Sequence, residues 1–413
     1  MSNMMQLSEE LTWRGFVNQT TYKDLQVLNG DSITFYWGVD PSADSMTIGN
    51  LAAAMMVKCF IKHGHKAVLL VGGATGLIGD PDGKSQERAL KPVEEIAKNK
   101  QAIVDQYGKI FGEHSFVLQD NYDWFKGLEY LDFLRDIGKH VPMRQMLGRD
   151  FVQTRLGEDG VGISYAEFSY VLIQAYDFLH LYEESGVRLQ VCGSDQWGNS
   201  IAGVDLIRRK TGGEAHVYSA PLITNKVTGQ KFGKTEEGAI WLDPAKTSIY
   251  TFYQYWLNID DEGAEEYLKV FTELDKSAID EVLQRFHEDR GGRLAQRTLA
   301  YEVTKLVHGQ EQADKVKRVS AVLFSDKNFL ELTEGEVQIL RDELRVTPVE
   351  STVAGTLVKA GLAASNTEAQ RFIETGAISV NGQKITGDTA NQFKSGSNLL
   401  KRGKNNFAIV ESN

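Results

Sequence analysis

Three short clusters in this 413-residue chain set glycine beside hydrogen-bonding residues at spacings suited to a phosphorylated ligand. The first runs from Tyr36-Trp37-Gly38-Val39-Asp40-Pro41 to Thr47-Ile48-Gly49-Asn50. It reads as a strand end, a tight turn and a helix start, where unpaired backbone N–H groups favour a phosphate. Thr47 and Asn50 are short donors able to reach phosphate oxygens, and Gly49 lets a nucleotide approach where a Cβ would collide. The second, Gly193-Ser194-Asp195-Gln196-Trp197-Gly198-Asn199, also joins a strand to a helix. There Asp195 would accept from a ribose hydroxyl, Gly193 permits close backbone approach, and Gln196 would point at a substrate. The third, Lys231-Phe232-Gly233-Lys234-Thr235, places two ammonium groups three residues apart beside a glycine. Such a pair would close over a triphosphate and stabilise a departing pyrophosphate. Each cluster alone has a plainer reading: a capped helix start for the first two, a solvated charged loop for the third. A fourth group, Tyr170, Gln174 and Asp177, lies at i, i+4 and i+7 on one helix face among Phe168, Val171, Leu172, Ile173 and Phe178. That stripe faces water, bonds within the core, or binds a ligand.

The elements that must position these residues follow from pattern. Ile33–Val39 and Lys66–Val71 are apolar, β-branched and aromatic runs ended by Asp40-Pro41 and by Gly72-Gly73-Ala74-Thr75-Gly76, and Val187–Val191 is a third such run. Helical periodicity covers Glu94–Phe111, Tyr165–Glu183 and Trp197–Lys210. Strands alternating with helices predict a Rossmann-like parallel sheet with its crevice where strands end and helices begin. The predicted fold class is therefore α/β for residues 1–225, followed by a mobile loop and linker over 226–247. A helical domain over 248–345 and a small α+β module over 351–413 complete the chain. Within the last, Asn381-Gly382 between Ile378-Ser379-Val380 and Gln383-Lys384-Ile385 signals a hairpin.

Bulk properties narrow the classes. The net charge of −11 excludes a uniformly basic nucleic-acid-binding surface. Residues 351–413 hold seven Lys and Arg against four Asp and Glu, a net of +3, which leaves −14 for the rest and marks the tail as the RNA-facing candidate. Two cysteines, Cys59 and Cys192, exclude a disulfide framework and disfavour a thiolate zinc site; no metal ligands are assigned. The apolar stretch Leu51–Ile61 is too short to span a bilayer, and Met1–Glu10 lacks the pattern of a secretory signal, so a cytoplasmic location without membrane contact is expected.

Taken together the clusters resemble the class I aminoacyl-tRNA synthetases, with Thr47-Ile48-Gly49-Asn50 at the HIGH signature and Lys231-Phe232-Gly233-Lys234-Thr235 at the KMSKS loop. Asp-Pro-Ser-Ala-Asp-Ser before the first signature, Gly-Ser-Asp-Gln-Trp-Gly-Asn and Lys-Phe-Gly-Lys-Thr resemble the bacterial tyrosyl branch, and the similarity runs through nearly the whole chain. The resemblance implies a ligase that forms tyrosyl-adenylate from L-tyrosine and ATP and passes the tyrosyl group to tRNA(Tyr). It implies that Asp177 and Tyr36 grip the substrate phenol, that Tyr170, Gln174 and Asp80 hold its ammonium group, and that Gln196 sits near its carboxylate. Gly38, Asp40, Gly49, Gly193, Asp195 and Lys234 would contact ATP, with Asp40, Gly193 and Asp195 at the ribose. Thr47, Asn50, Lys231, Lys234 and Thr235, assisted by Lys84 and Arg88, would act on the phosphates. Mg²⁺ would accompany ATP, and no tightly bound cofactor is implied. Tyrosyl enzymes are the standard example of rejecting phenylalanine without editing.

The tail from about Thr352 resembles an RNA-binding module first described in a ribosomal protein, with Arg371, Lys384, Lys401, Arg402 and Lys404 as candidate phosphate contacts and 248–345 on the anticodon side. A homodimer is implied by the same resemblance. Two departures stand out. Thr47 and Asn50 replace histidines, so no imidazolium charge is available there. Trp37 is bulky where the family often has a small residue. The competing readings are a synthetase-like RNA-binding protein without catalysis, motivated by Thr47 and Asn50, and a tryptophanyl enzyme of the same chemistry.

Overall fold

The computed structural model describes residues 5–81, 90–112, 116–148, 150–157, 160–230, 232–235, 238–324, 327–385 and 387–412. They form two compact units. The first comprises residues 1–247 and 260–295, the second 248–259 and 296–413.

The first unit is built on a six-stranded sheet. Its strands are β1 (Gln19–Thr20), β2 (Thr34–Val39), β3 (Lys66–Val71), β4 (Phe116–Asp120), β5 (Leu189–Gly193) and β6 (His216–Ala220). The spatial order is β1-β6-β5-β2-β3-β4. All pairs are parallel except β1 against β6. β2 and β3 read as continuous apolar runs because both faces of a central parallel strand are covered by helices. The helices bearing on the site are α1 (Leu7–Arg14), α2 (Ile48–Lys62), α3 (Val93–Phe111), α4 (Tyr165–Glu184) and α5 (Trp197–Thr211). The strand order reverses between β2 and β5, whose register sets Tyr36 opposite Gln190. A crevice at the C-terminal ends of strands flanking such a switch point is the ordinary ligand site of open α/β sheets.

Residues 260–295 belong to this same unit, so the stretch expected as one helical domain, 248–345, is divided between the two units. The reason is specific. Arg14 at the end of α1 donates to the carbonyls of Lys269 at 2.6 Å, Thr272 at 2.9 Å and Leu274 at 3.0 Å. A guanidinium thus binds one carbonyl in the last turn of helix Ala264–Phe271 and two in the segment that follows it.

In the second unit, helix Gln310–Phe324 packs with helices Ile249–Leu257 and Glu334–Glu343. Its five-stranded sheet includes the predicted hairpin, Ile378–Val380 against Gln383–Lys384. Asn381 (φ 52°) and Gly382 (φ 85°) take the left-handed geometry such a two-residue turn requires. Leu399 and Ile409 of this sheet share a core with Val319, Leu323, Val337 and Leu340, so 351–413 packs as a continuation of the helices.

Candidate active site

The C-terminal ends of β2, β3, β5 and β6 open into a cavity of about 590 Å³. Most of the predicted ligand-binding residues line it: Tyr36, Gly38, Asp40, Thr47, Gly49, Asn50, Asp80, Tyr170, Gln174, Asp177, Gly193, Asp195 and Gln196. They come from segments far apart in sequence, brought together by the strand order and by the helices α2 and α4 packed on the sheet.

Its polar end is built on α4. Asp177 is 1% exposed. One carboxylate oxygen accepts from Asn121 Nδ2 at 3.0 Å and the other from Trp124 Nε1 at 2.9 Å. Burial pushes its pKa well above the ordinary carboxylate value, the two N–H donors pull against that, and the charges of Asp40 and Asp120 push further up. Tyr36 lies beside it, equally buried, and its hydroxyl finds no partner among the described residues. Burial, with the nearby Asp177 charge, keeps that hydroxyl protonated by raising its pKa well above 10.0. Gln174 Oε1 and Gln190 Oε1 are also buried without a partner among the described residues. Unpaired buried polar atoms are costly. Their convergence on one cavity points to a polar ligand that completes them.

The middle of the cavity is a carboxylate network. Asp40 accepts from Tyr170 Oη at 2.6 Å and from Thr75 Oγ1 at 2.6 Å. In this arrangement Asp40 orients Tyr170 and the turn after β3. A Cβ on Gly72 would stand 2.1 Å from an Asp40 oxygen, so only glycine fits there. Gln196 Nε2 donates to Asp80 Oδ2 at 2.5 Å, and Gln196 Oε1 accepts from Asn199 Nδ2 at 3.2 Å. The ammonium-binding set of the resemblance, Tyr170, Gln174 and Asp80, is thus brought together, with Tyr170 and Asp80 also tied to Asp40 and Gln196.

At the other end stands the start of α2. Thr47 caps it reciprocally: its hydroxyl accepts from the Asn50 N–H, and Asn50 Oδ1 accepts from Thr47 N–H and Oγ1, each at 3.0 Å. The Thr47 hydroxyl proton is therefore taken up by Asn50, which leaves the Asn50 amide N–H groups as the side-chain donors here. Gly49 is exposed, and a Cβ there would meet only Thr47 Oγ1 at 3.5 Å, so the space before it is open. Residues 240–242 run alongside: Ile48 N–H donates to Ile240 O at 3.1 Å and Leu242 N–H to Met46 O at 2.9 Å. The segment after the Lys-Phe-Gly-Lys-Thr cluster is thereby hydrogen-bonded to the Thr-Ile-Gly-Asn cluster. Gly233 (φ 83°) lies against Ile48, where a Cβ would stand 2.5 Å from the isoleucine side chain.

Other predicted residues fall differently. Lys84, Arg88 and Lys231 lie outside the described residues. Lys234 and Thr235 pair through the backbone with Ala239 and Gly238. Trp37 packs between sheet and α3, its ring 5.6 Å from Tyr107 and 6.3 Å from Phe111. Cys192 is buried, and burial raises its pKa to about 12. In the second unit Arg371 and Arg402 flank one ring, Phe372, at 5.7 and 5.0 Å, while Lys384 and Lys404 are exposed. Lys401 is half-buried and donates to Leu323 O at 2.8 Å.

Pattern reading missed Asn121, Trp124, Thr75 and Gln190. Asn121 follows directly on β4, a strand whose half-exposed sequence gave little signal; had β4 been recognised, its C-terminal end would have pointed to Asn121.

A family model described as tRNA synthetases class I (W and Y) matches residues 28–325, and the Tyrosine--tRNA ligase SYY-like C-terminal domain matches 338–410. The chain belongs to the class I tRNA synthetases of that tryptophan and tyrosine group. Within the group its relatives include the tyrosine–tRNA ligase of Geobacillus kaustophilus, 44% identical over 422 residues and covering 98% of this chain and 99% of its own length. That of Bacteroides fragilis is 41% identical over 432 residues, with the same coverage. The crystal structure of a C-terminally truncated mitochondrial tyrosyl-tRNA synthetase from Aspergillus nidulans matches with a TM-score of 0.69 at 30% identity, covering 78% of this chain and 95% of that one. An Archaeoglobus fulgidus tyrosyl-tRNA synthetase complexed with L-tyrosine shares the fold, at TM-score 0.54 and 16% identity over 76% of this chain and 100% of that one.

Proposed function

We propose that this chain is a tyrosine–tRNA ligase: it activates L-tyrosine with ATP and transfers the tyrosyl group to tRNA(Tyr). The observation that carries the choice of amino acid is the buried pair at the polar end, Asp177 held by two N–H donors beside the unpartnered Tyr36 hydroxyl. A phenol entering there donates its proton to Asp177 and accepts from Tyr36. Phenylalanine would leave the Tyr36 hydroxyl unsatisfied and set the Asp177 carboxylate against a ring edge that cannot donate to it. The substrate ammonium then lies toward Tyr170, Gln174 and Asp80, and its carboxylate toward Gln196.

In the first step a carboxylate oxygen attacks the α-phosphate, the bond to the bridging oxygen breaks, and pyrophosphate leaves. In the second a terminal ribose hydroxyl of the tRNA attacks the tyrosyl carbonyl and AMP leaves. No side chain forms a covalent bond, so the protein contributes position and charge stabilisation. Asn50 and the start of α2 serve the phosphates, Lys231, Lys234 and Thr235 the leaving pyrophosphate with Lys84 and Arg88 assisting. Gly38, Gly49, Gly193 and Asp195 accommodate the nucleoside. Asp40 acts on it indirectly, through Tyr170 and Thr75. The donor set at the α2 end suits phosphate oxygens, which leaves Mg²⁺ to be held by the phosphates and water.

Arg371, Arg402, Lys384 and Lys404 are proposed tRNA phosphate contacts, while the bond from Lys401 to Leu323 O supports a packing role. A homodimer is proposed for the assembly. Its support is the run of exposed apolar side chains on the first unit between Val117 and Tyr165, including Leu131 at 74%, Val161 at 65% and Met143 at 57% exposure. No helix among the described residues is long and apolar enough to cross a membrane, and the proposed location is the cytoplasm. The test is ATP–pyrophosphate exchange with each of the twenty amino acids. Exchange driven by tyrosine alone supports the reading; exchange driven by tryptophan, or none, overturns it.

A further inference from the structure

The segment carrying the two lysines rests on a seat no motif identifies. Residues 223–230 and Phe232 form a hairpin, closed by Phe232 N–H to Ile223 O at 2.9 Å and Asn225 N–H to Gln230 O at 2.8 Å. It lies along helix Ala264–Phe271 at several points. Tyr267 Oη donates to Thr224 O at 3.1 Å. The Phe232 ring stands 4.3 Å from Tyr267 and 5.7 Å from Phe271. Lys226 pairs with Glu266, and Asn225 Nδ2 approaches Asp260 at 3.4 Å. Phe232 is buried and lines the cavity. The next residue, Gly233, is pressed on Ile48 at the start of α2. The short stretch between the two lysines is thus held between the helix and the phosphate end of the site.

Tyr267 itself is fully buried and does not line the cavity. The chain makes room for it: a Cβ on Gly263 would stand 2.2 Å from its ring. Its helix is fixed in turn by Arg14, whose Nε–H meets Glu10 at 2.9 Å. A buried tyrosine thus bonds the hairpin backbone and stacks on its inward ring, Phe232.

We propose that Tyr267 is a positioning residue for adenylate formation, acting through Phe232 to hold the lysine-bearing hairpin against the phosphate end of the cavity. This rests on the reading of Lys231 and Lys234 as the pyrophosphate clamp. The full chain carrying Tyr267→Phe, Tyr267→Leu or Tyr267→Met is compared with wild type and with Lys234→Ala. Tyrosine-dependent ATP–pyrophosphate exchange is normalised to titrated active sites, and the tyrosine dissociation constant is measured by equilibrium dialysis. Tyr267→Leu is expected to lower kcat about 10- to 100-fold, the scale of a misplacement of about 1 Å, with the tyrosine constant within twofold of wild type. Tyr267→Phe keeps the ring and should retain kcat within about threefold, the loss of one neutral hydrogen bond. Tyr267→Met keeps bulk without the ring and gives the same reading as Leu if that variant does not fold. A purely structural tyrosine would change the active fraction or Tm and leave kcat per active site at the wild-type value; that result overturns the proposal. So does a kcat loss matched by an equal loss of tyrosine affinity. If Lys234→Ala keeps wild-type kcat, the clamp reading fails and the proposal with it; a deficient Lys234→Ala beside a normal Tyr267→Leu removes the proposal alone.

Discussion

Replacing Tyr36 by Phe separates the cost of an unfilled site from the benefit of filling it. The Tyr36 hydroxyl is buried and finds no partner among the described residues. An unsatisfied buried hydroxyl costs about 1–3 kcal/mol, and removing it without changing the ring recovers that amount. For a unit of about 280 residues, at roughly 2.1 cal/mol/K of unfolding entropy per residue, the gain is a Tm increase of about 2–5 °C. With tyrosine bound the same hydroxyl donates to the phenol oxygen, a neutral hydrogen bond of about 0.5–1.5 kcal/mol. Its loss lowers kcat/KM for tyrosine about 2- to 13-fold. Because burial raises the Tyr36 pKa well above 10.0, the donor stays protonated, and the loss should be flat from pH 6 to 9. Calorimetry of the ligand-free protein and exchange kinetics on the same preparation read both effects. A variant with lower Tm and undiminished kcat/KM would refute the reasoning, for it would mean that the hydroxyl is satisfied at rest and idle in the complex.

Four further outcomes follow from the geometry. Asp177→Ala removes the acceptor of both Asn121 and Trp124, so it should lose tyrosine activation and also about 2–5 kcal/mol of stability; denaturant titration showing wild-type stability would contradict the buried network. Lys234→Ala should lower kcat for exchange about 100-fold with tyrosine affinity intact; a change confined to KM for tyrosine would remove it from the clamp. Glu10 is raised by burial but lowered more by His63, Arg14 and Lys62, for a net folded pKa below the ordinary 4.5. Its contribution is complete above pH 4.5 and lost as pH falls through the folded value. Glu10→Gln should therefore be about 3 kcal/mol less stable at pH 7, with the gap to wild type closing below pH 4.5 in acid-unfolding curves. Removing 351–413 takes Leu399 and Ile409 from the core of the helices; the product should keep tyrosine activation, lose tRNA charging, and bind a hydrophobic dye in its second unit, and loss of activation would contradict the membership of the cavity's lining residues in the first unit.

The parts of this molecule that could be read from sequence are those whose signal is local. β2 and β3 announce themselves because a central parallel strand is apolar on both faces, and Asn381-Gly382 because only such residues take two consecutive left-handed conformations. β4 was not legible: Val117 and Leu118 are exposed, and the run ends in the polar Gln119 and Asp120 that an edge strand tolerates. The same split runs through the candidate site. Glycines, lysines and the stripe on α4 carry local spacing, so they could be named. The partners Asn121 and Trp124, the tie from Asp40 to Tyr170, and the mutual lock of Thr47 and Asn50 depend on which side chains the fold sets face to face. Arg14 shows the extreme: its carbonyl partners lie 255 to 260 residues downstream.

That long-range bond bears on how the protein is made. The first helix reaches its guanidinium's acceptors only after Leu274 has left the ribosome, and at roughly 5–20 residues per second this is a wait of about 10–50 s. Throughout, Arg14 and Glu10 have no finished burial site, and the nascent N-terminal half cannot seal. The interleaved path adds a second delay: Gln254, whose amide bonds Ser320 at 2.9 Å, is synthesised before the first unit is complete but docks after it. The first unit is therefore expected to close only once residues 260–295 have emerged, with a nascent chain of some 270 residues as the species most dependent on chaperone protection.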